Sequence, residues 1–154
     1  MDLITFKLAD KEYAVDINQV HEVLRVREAV PVPDAADFVE GVINLRGKVV
    51  PLVSLRKKLG FKESELKRAS RIIIAQSDSH FIGVIVDRVS DVISLDPADI
   101  TPPDEVLKKA TYLTGVGRIG ERLILIVDIK TLLSDREKID IEEMHGRVEI
   151  RKRG

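Results

Sequence analysis

The sequence predicts a mainly β protein, two small barrels related by a pseudo-twofold axis with only short helices between strands. Three observations lead there: an internal repeat, two-residue hydrophobic alternation over most of each copy, and turn residues at short intervals. Residues 38 to 59, FVEGVINLRGKVVPLVSLRKKL, align without gaps onto residues 112 to 133, YLTGVGRIGERLILIVDIKTLL. Phe38 meets Tyr112, Gly41-Val42 meets Gly115-Val116, Val53 meets Val127, and Leu55 and Leu59 meet Ile129 and Leu133. Upstream, Pro33-Asp34 precedes Phe38 as Pro103-Asp104 precedes Tyr112, and Ile17 to Leu24 parallels Val86 to Ile93. Matched blocks in one order divide the chain into residues 1–70, a first barrel with its linker, residues 71–133, a second barrel, and a charged end at 134–154. The N-terminal strand is a candidate for sharing between the barrels.

Within each copy the period is that of strands. Leu3, Thr5 and Lys7 alternate with Ile4, Phe6 and Leu8, and the polar run Ala9 to Glu12 turns the chain into Tyr13 to Ile17, which reads as a hairpin. Ile72 to Ala75, a turn at Gln76 to Ser79, and Phe81 to Val86 repeat it. Asp16 or Asn18, and Asp87 in the second copy, are candidate caps for one or two helical turns carrying Val20, Val23 and Leu24, or Val89 and Val92. Pro31 and Pro33 force an extended passage at an edge, since proline cannot donate to a ladder. Val42 to Leu45, a turn at Arg46-Gly47 and Val49 to Val53 form a second hairpin, followed by a helical stretch from Leu55 to Leu59 that Gly60 ends. Several short strands per copy close most simply into a barrel, which removes exposed edges. Gly60 to Arg71 is a polar connection, Ser134 to Met144 a candidate surface helix, and Gly146 to Gly154 a basic tail.

Composition narrows the function. A chain of 154 residues, 44% hydrophobic, is long enough for a real core. No apolar run approaches the ~20 residues that span a bilayer, and Met1 to Lys7 alternates instead of forming a basic-then-apolar leader, so a soluble cytoplasmic protein without membrane insertion is expected. Cysteine is absent, which excludes disulfides, thiolate metal sites and cysteine nucleophiles together. Lys plus Arg number 25 against 26 for Asp plus Glu, and aromatic residues are 4%. Nucleic acid is therefore not an expected partner, for want of both a basic field and stacking platforms.

The motifs that suggest chemistry are weak. Gly115-Val116-Gly117-Arg118-Ile119-Gly120 is a literal G-x-G-x-x-G, but it runs into Leu123 to Val127, a strand, where dinucleotide binding needs a helix N-terminus. A hairpin turn explains it. His21, His80 and His145 lie far apart in sequence, no serine sits in a Gly-x-Ser-x-Gly elbow, and Asp87 with Asp91 reads as a cap and a solvated face. No cofactor, metal or catalytic residue is expected. The positive signal is a difference between the copies. Arg46 stands in the turn where the second copy has Gly120, whereas the acid Glu22 is matched by Asp91. An arginine where glycine would serve is the signature of a site for forked, charge-assisted contacts, and equally of a solvated surface arginine.

Phe38-Val39-Glu40-Gly41-Val42-Ile43-Asn44-Leu45-Arg46-Gly47 followed by Val49 to Arg56 closely resembles the CheW family, as do Gly83 to Val92, Tyr112 to Gly115 and Leu123 to Asp128. The likeness runs from residue 3 to about 133. It implies two SH3-like five-stranded β-barrels about a common core, no enzymatic activity, and a scaffold that docks the cytoplasmic tips of methyl-accepting chemoreceptors onto the regulatory domain of the histidine kinase CheA. It further implies receptor-binding roles for Glu22, Val23, Arg46, Val89 and Val92. For kinase binding the candidates are Ile17, Val20 and Gly41 on the first barrel. Rival readings are a related docking domain of a kinase or of a receiver-fused adaptor, and an RNA-binding pair of SH3-like barrels. A start at Met1 just before the first strand and an end soon after the repeats favour a free-standing adaptor.

Overall fold

The structure, a computed structural model, describes residues 1–62, 66–77, 79–103 and 111–132. The expected helix and tail of residues 134–154 lie outside the described residues. The strands are β1 (Asp2–Leu8), β2 (Lys11–Asp16), β3 (Val20–Arg25), β4 (Val39–Leu45), β5 (Lys48–Ser54), β6 (Arg71–Ser77), β7 (His80–Val86), β8 (Arg88–Ser94), β9 (Ile100–Thr101), β10 (Leu113–Ile119) and β11 (Arg122–Val127). Two single-turn helices, α1 (Leu55–Lys58) and α2 (Ile129–Leu132), follow β5 and β11. No described helix is long and apolar enough to cross a membrane.

Two sheets result, one in the order β8-β1-β2-β11-β10-β9 and the other β3-β6-β7-β5-β4. Replacing each strand by its repeat partner turns one order into the other. The two-residue β9 pairs Thr101 with Val116, and an isolated bridge between Val30 and Val42 holds the matching place. Even the bulges correspond, at Val39/Gly41 in β4 and Leu113/Gly115 in β10. Gly41 and Gly115 have a common cause: a Cβ on Gly41 would stand 2.4 Å from the Val30 carbonyl oxygen, and one on Gly115 2.8 Å from the Ile100 side chain. Each glycine lets a crossing edge segment lie directly on the bulge.

The sheets do not follow the boundary at residue 70. Hairpin β1-β2 belongs to the sheet of the second copy, where β1 pairs with β8 and β2 runs parallel to β11. Hairpin β6-β7 inserts reciprocally between β3 and β5. The exchange extends the sharing expected of the first strand to a whole hairpin from each copy. Its driving force is burial on two faces: Leu3 and Thr5 are 0% exposed and Phe6 2%, so β1 is covered on both sides although its sequence reads as one-sided.

Three apolar clusters follow from this arrangement. Leu3, Ala14, Leu95, Ile124 and Ile126 fill the first sheet's own barrel, and Ile43, Leu45, Val50, Leu52, Ile72 and Ile74 the second's. Between them a shared core joins Ile4, Phe6, Leu8 and Val15 of one sheet to Val53, Ile73, Ile82 and Val84 of the other. Phe6 and Tyr13, register partners on β1 and β2, stack there at 5.7 Å. Each of its large side chains contributes about 1.5–3 kcal/mol on burial.

The expected short helices around Val20 to Leu24 and Val89 to Val92 are strands instead. Just ahead of β3, Ile17–Gln19 makes a 3-10 turn, capped where the Asn18 N–H donates to Asp16 Oδ1 at 2.9 Å. Ladder pairing of β3 with β6 and β8 with β1 satisfies these backbones in a conformation that β-branched residues prefer. The helix after Leu55 forms as expected: Ser54 caps α1, accepting from the Lys57 N–H at 3.3 Å, and Gly60 ends it at φ 79°.

Polar ties lock the sheets across their corners. Arg56 after β5 grips Asp87 at the β7-β8 corner through two bonds of 2.7 and 2.6 Å, and Asp87 Oδ2 also accepts from the Ala9 N–H at 2.9 Å. At the other corner Gln19 donates to Asp128 Oδ1 at 2.9 Å and accepts from the Ile129 N–H at 3.3 Å. Burial pushes the Asp87 carboxyl up, but the Arg56 bonds and the Ala9 amide outweigh it and hold it below the usual carboxylate range. A carboxylate so depressed adds stability above its unfolded pKa of about 4, and that stability is lost as pH falls through the folded value. Asp87→Asn is expected to cost about 1–2 kcal/mol at neutral pH, a charge-assisted bond discounted for partial exposure. Urea denaturation at pH 7 and at pH 3 checks this; the gap to wild type should shrink at the lower pH, and an equal gap at both would assign the effect to packing.

Candidate docking site at the Arg46 turn

Arg46 and Gly47 are the central residues of the β4-β5 hairpin, with φ of 51° and 86°, the sign pair of a type I′ turn. Glycine or asparagine is the usual first residue, because a side chain in the left-handed region costs about 1–2 kcal/mol. The second copy has Gly120 there, at φ 58°. The loop is braced by the Gly47 N–H donating to Asn44 Oδ1 at 2.8 Å and by Arg27 donating to the Asn44 carbonyl at 3.2 Å.

The Arg46 guanidinium grips Glu22 on β3 with both terminal nitrogens, Nη1 donating to Oε2 at 3.4 Å and Nη2 to Oε1. That hydrogen bonding holds the Glu22 carboxyl below the usual carboxylate range. The Arg46 side chain stays 64% exposed while Glu22 is 24% exposed. Two of the five N–H groups of Arg46 serve Glu22, and the other three have no acceptor among the described residues. Beside this pair the His21 ring lies 4.8 Å from Phe81, and Lys48 Nζ stands 4.6 Å from the same ring.

At the equivalent place in the other sheet the pairing is different. Asp91 turns inward to the buried Thr5, whose Oγ1 accepts from the Asp91 N–H at 3.1 Å and donates to the Asp91 side chain. The strand partner of Glu22 is Ile74, which offers no such bond. One copy of the acid is therefore satisfied by a core hydroxyl, the other by an exposed arginine. Thr5 was missed as a polar partner because its place in the alternation is that of any strand residue. The sole signal was a hydroxyl where the repeat has Ile74.

Glu22 and Arg46 are thus brought into contact. Val23 and Val92 occupy matching positions on β3 and β8, the edge strands of the two sheets, and are 36% and 61% exposed. Val89 and Val20 are also a matched pair, but both are partly buried against the shared core. Ile17 is exposed in the 3-10 turn. Gly41 is buried under the Val30 backbone, so its role in the fold is the close approach at the bulge. Gly115 and Gly117 of the G-x-G-x-x-G lie within β10, with Gly120 in the turn. The Cβ space of Gly117 is occupied by Leu95, 2.6 Å away. His145 is outside the described residues, and among those described no three His, Cys, Asp or Glu side chains cluster as a metal site.

Known proteins share this arrangement. A family model described as a CheW-like domain matches residues 2–137. The chain is 37% identical over 138 residues to the chemotaxis protein CheW of Klebsiella aerogenes, covering 88% of this chain and 83% of that protein. With the chemotaxis protein CheW of Thermotoga maritima the identity is 33% over 144 residues, covering 92% and 91%. A crystal structure of the scaffolding protein TtCheW from Thermoanaerobacter tengcongensis superimposes with a TM-score of 0.82 at 33% identity, over 88% of this chain and 94% of that one. Two SH3-like sheets with exchanged hairpins, matched from β1 through α2 by one family model, make this chain a member of the CheW-like family, a chemotaxis scaffold and not an enzyme.

Proposed function

We propose that the chain couples methyl-accepting chemoreceptors to the regulatory domain of the histidine kinase CheA, in the cytoplasm and at membrane-associated receptor arrays. The observation that supports the receptor half is Arg46: a strained, exposed turn residue, anchored by Glu22, with three N–H groups left to donate. A helical receptor tip laid along the edges at Val23 and Val92 would bury their exposed methyls, with Val89 beneath them as support. Glu22 orients the guanidinium, so Arg46 meets the incoming helix as a preorganised fork. Charge-assisted donors of this kind set register, and the apolar edge supplies contact area.

For the kinase half we propose the 3-10 turn after β2. Ile17 is its exposed apolar residue. Val20 supports the turn from the shared core, and Gly41 acts through the bulge it allows. Simultaneous engagement of two partners requires that this surface and the Arg46 turn stay accessible together.

Arg46→Gly separates function from stability at the turn. Glycine relieves the left-handed strain, so the melting temperature should hold or rise. Affinity for a receptor-tip fragment should fall more than tenfold, or about 1.4 kcal/mol. Titration calorimetry measures this, and unchanged affinity would remove Arg46 from the interface. Ile17→Asp is expected to weaken binding of the CheA regulatory domain at least tenfold while leaving receptor-tip affinity within twofold; equal losses for both partners would instead mean that the two surfaces are one.

A further inference from the structure

An open cleft of about 270 Å³ lies where the β1-β2 turn, the segment before β6 and the β7-β8 corner meet. Among the described residues its walls carry Lys7, Arg56, Lys67 and Arg88 against Asp10 and Asp87, four cations to two carboxylates. Arg56 is committed to Asp87 and to the Lys62 carbonyl, which it reaches at 2.8 Å. Lys7, Lys67 and Arg88 have no side-chain acceptor among the described residues. Ser70 also faces this space and is only 5% exposed. Its Oγ accepts from the Lys67 N–H at 2.9 Å, but its own O–H has no acceptor among the described residues. Among the described residues this is a buried hydroxyl with no acceptor for its proton, rimmed by three cations that make no hydrogen-bonded ion pair, an arrangement suited to an anion.

The internal repeat provides a control inside the same molecule. At the equivalent corner, Gln76 stands for Lys7, Gln19 for Arg88, Asn18 for Asp87 and Ser79 for Asp10. That corner is closed on itself, since Gln19 both donates to Asp128 and accepts from Ile129. A purely architectural need at the two corners would be met by either set of residues. Among the described residues, the corner at Ser70 is the one where Lys7 and Arg88 stand in place of neutral glutamines.

We propose that this cleft binds a phosphate monoester, with Ser70 donating its hydroxyl proton, Lys7, Lys67 and Arg88 supplying the charge, and the Arg56–Asp87 pair forming a neutral floor. The excess of two positive charges among the described residues matches a group carrying about −1.5 to −2 at neutral pH, and its acceptor oxygens match the donors that lack partners among those residues. A lone carboxylate would leave charge uncompensated. The same chemistry is offered by a free small phosphate or by a phosphorylated side chain of a partner protein. Because the cations are near the surface, binding should weaken as salt rises.

The test is calorimetric titration of the intact protein at low ionic strength with inorganic phosphate, O-phosphoserine, and a phosphoserine peptide beside its unphosphorylated form. Saturable one-to-one binding is expected, at least tenfold weaker in the double variant Lys7→Gln and Arg88→Gln, which installs the other corner's residues. Tighter binding of the phosphopeptide than of free phosphate would support the proposal with a partner side chain as source; equal affinities would support it with a small soluble phosphate. Amide shifts of Ser70 and Arg88 on adding phosphate to the wild-type protein give the same reading without any variant. No saturable binding of any phosphate, unchanged affinity in the double variant, or shifts confined to other surfaces would each overturn it. Receptor-tip affinity of the double variant should equal wild type, so the fate of this site is independent of the Arg46 turn.

Discussion

The apolar core shared by the two sheets is the constraint on which the rest of the structure depends. It is built by exchange: each copy of the repeat gives its first hairpin to the other copy's sheet, so neither sheet is complete without the opposite half of the chain. Ile4, Phe6 and Val15 arrive from one sheet and Ile73, Ile82 and Val84 from the other. Separating the two would expose this layer and also break the parallel pairings β2 with β11 and β5 with β7. For a scaffold this coupling has a consequence. The edge strands β3 and β8 are backed by one continuous packed core, and packed interiors transmit displacement because they resist compression.

Around that symmetric interior, function is carried by departures from symmetry. The same backbone position holds Arg46 in one turn and Gly120 in the other, and the same strand position holds Glu22 and Asp91. Asp91 is absorbed into the fold by Thr5, whereas Glu22 serves an exposed guanidinium. The corners differ likewise: Gln19 with Asp128 is a closed tie, and Arg56 with Asp87 sits in a cleft whose described lining is mainly cationic. In each pair one member meets the needs of the fold with local partners, and the other leaves donors without an acceptor among the described residues. Solvent satisfies such exposed donors until a partner replaces it, so they remain available for binding.

The contacts that position Arg46 are short in sequence and modest in energy. An exposed pair such as Arg46–Glu22 adds little to stability, and the left-handed turn subtracts from it. Their value is geometric, since a planar fork held on a two-residue turn has few ways to move. Strand β3 supplies the carboxylate at a fixed height because its register with β6, Glu22 opposite Ile74, is set by the core. A small feature at the rim thus inherits its precision from the buried layer below.

Much of this was legible in the amino-acid order. The duplication, the hairpins at Asp2–Asp16, Val39–Ser54 and Arg71–Val86, the one-turn helix ended by Gly60, and the asymmetry at Arg46 all follow from local rules of period, turn chemistry and self-comparison. Three things were not. The exchange of hairpins depends on which strands find partners, and alternation says nothing of partners; Leu3 and Thr5 look solvent-facing until β1 is seen between β8 and β2. Val20 to Arg25 and Arg88 to Ser94 carry spacing that also suits a helix, and only a waiting sheet edge decides for strand. The cleft at Ser70 gathers Lys7, Lys67 and Arg88, residues far apart in the chain, at a corner that exists only once the sheets are packed. Local sequence determined which segments pair and turn; the burial of both faces of each exchanged hairpin, a property of the whole chain, decided with whom.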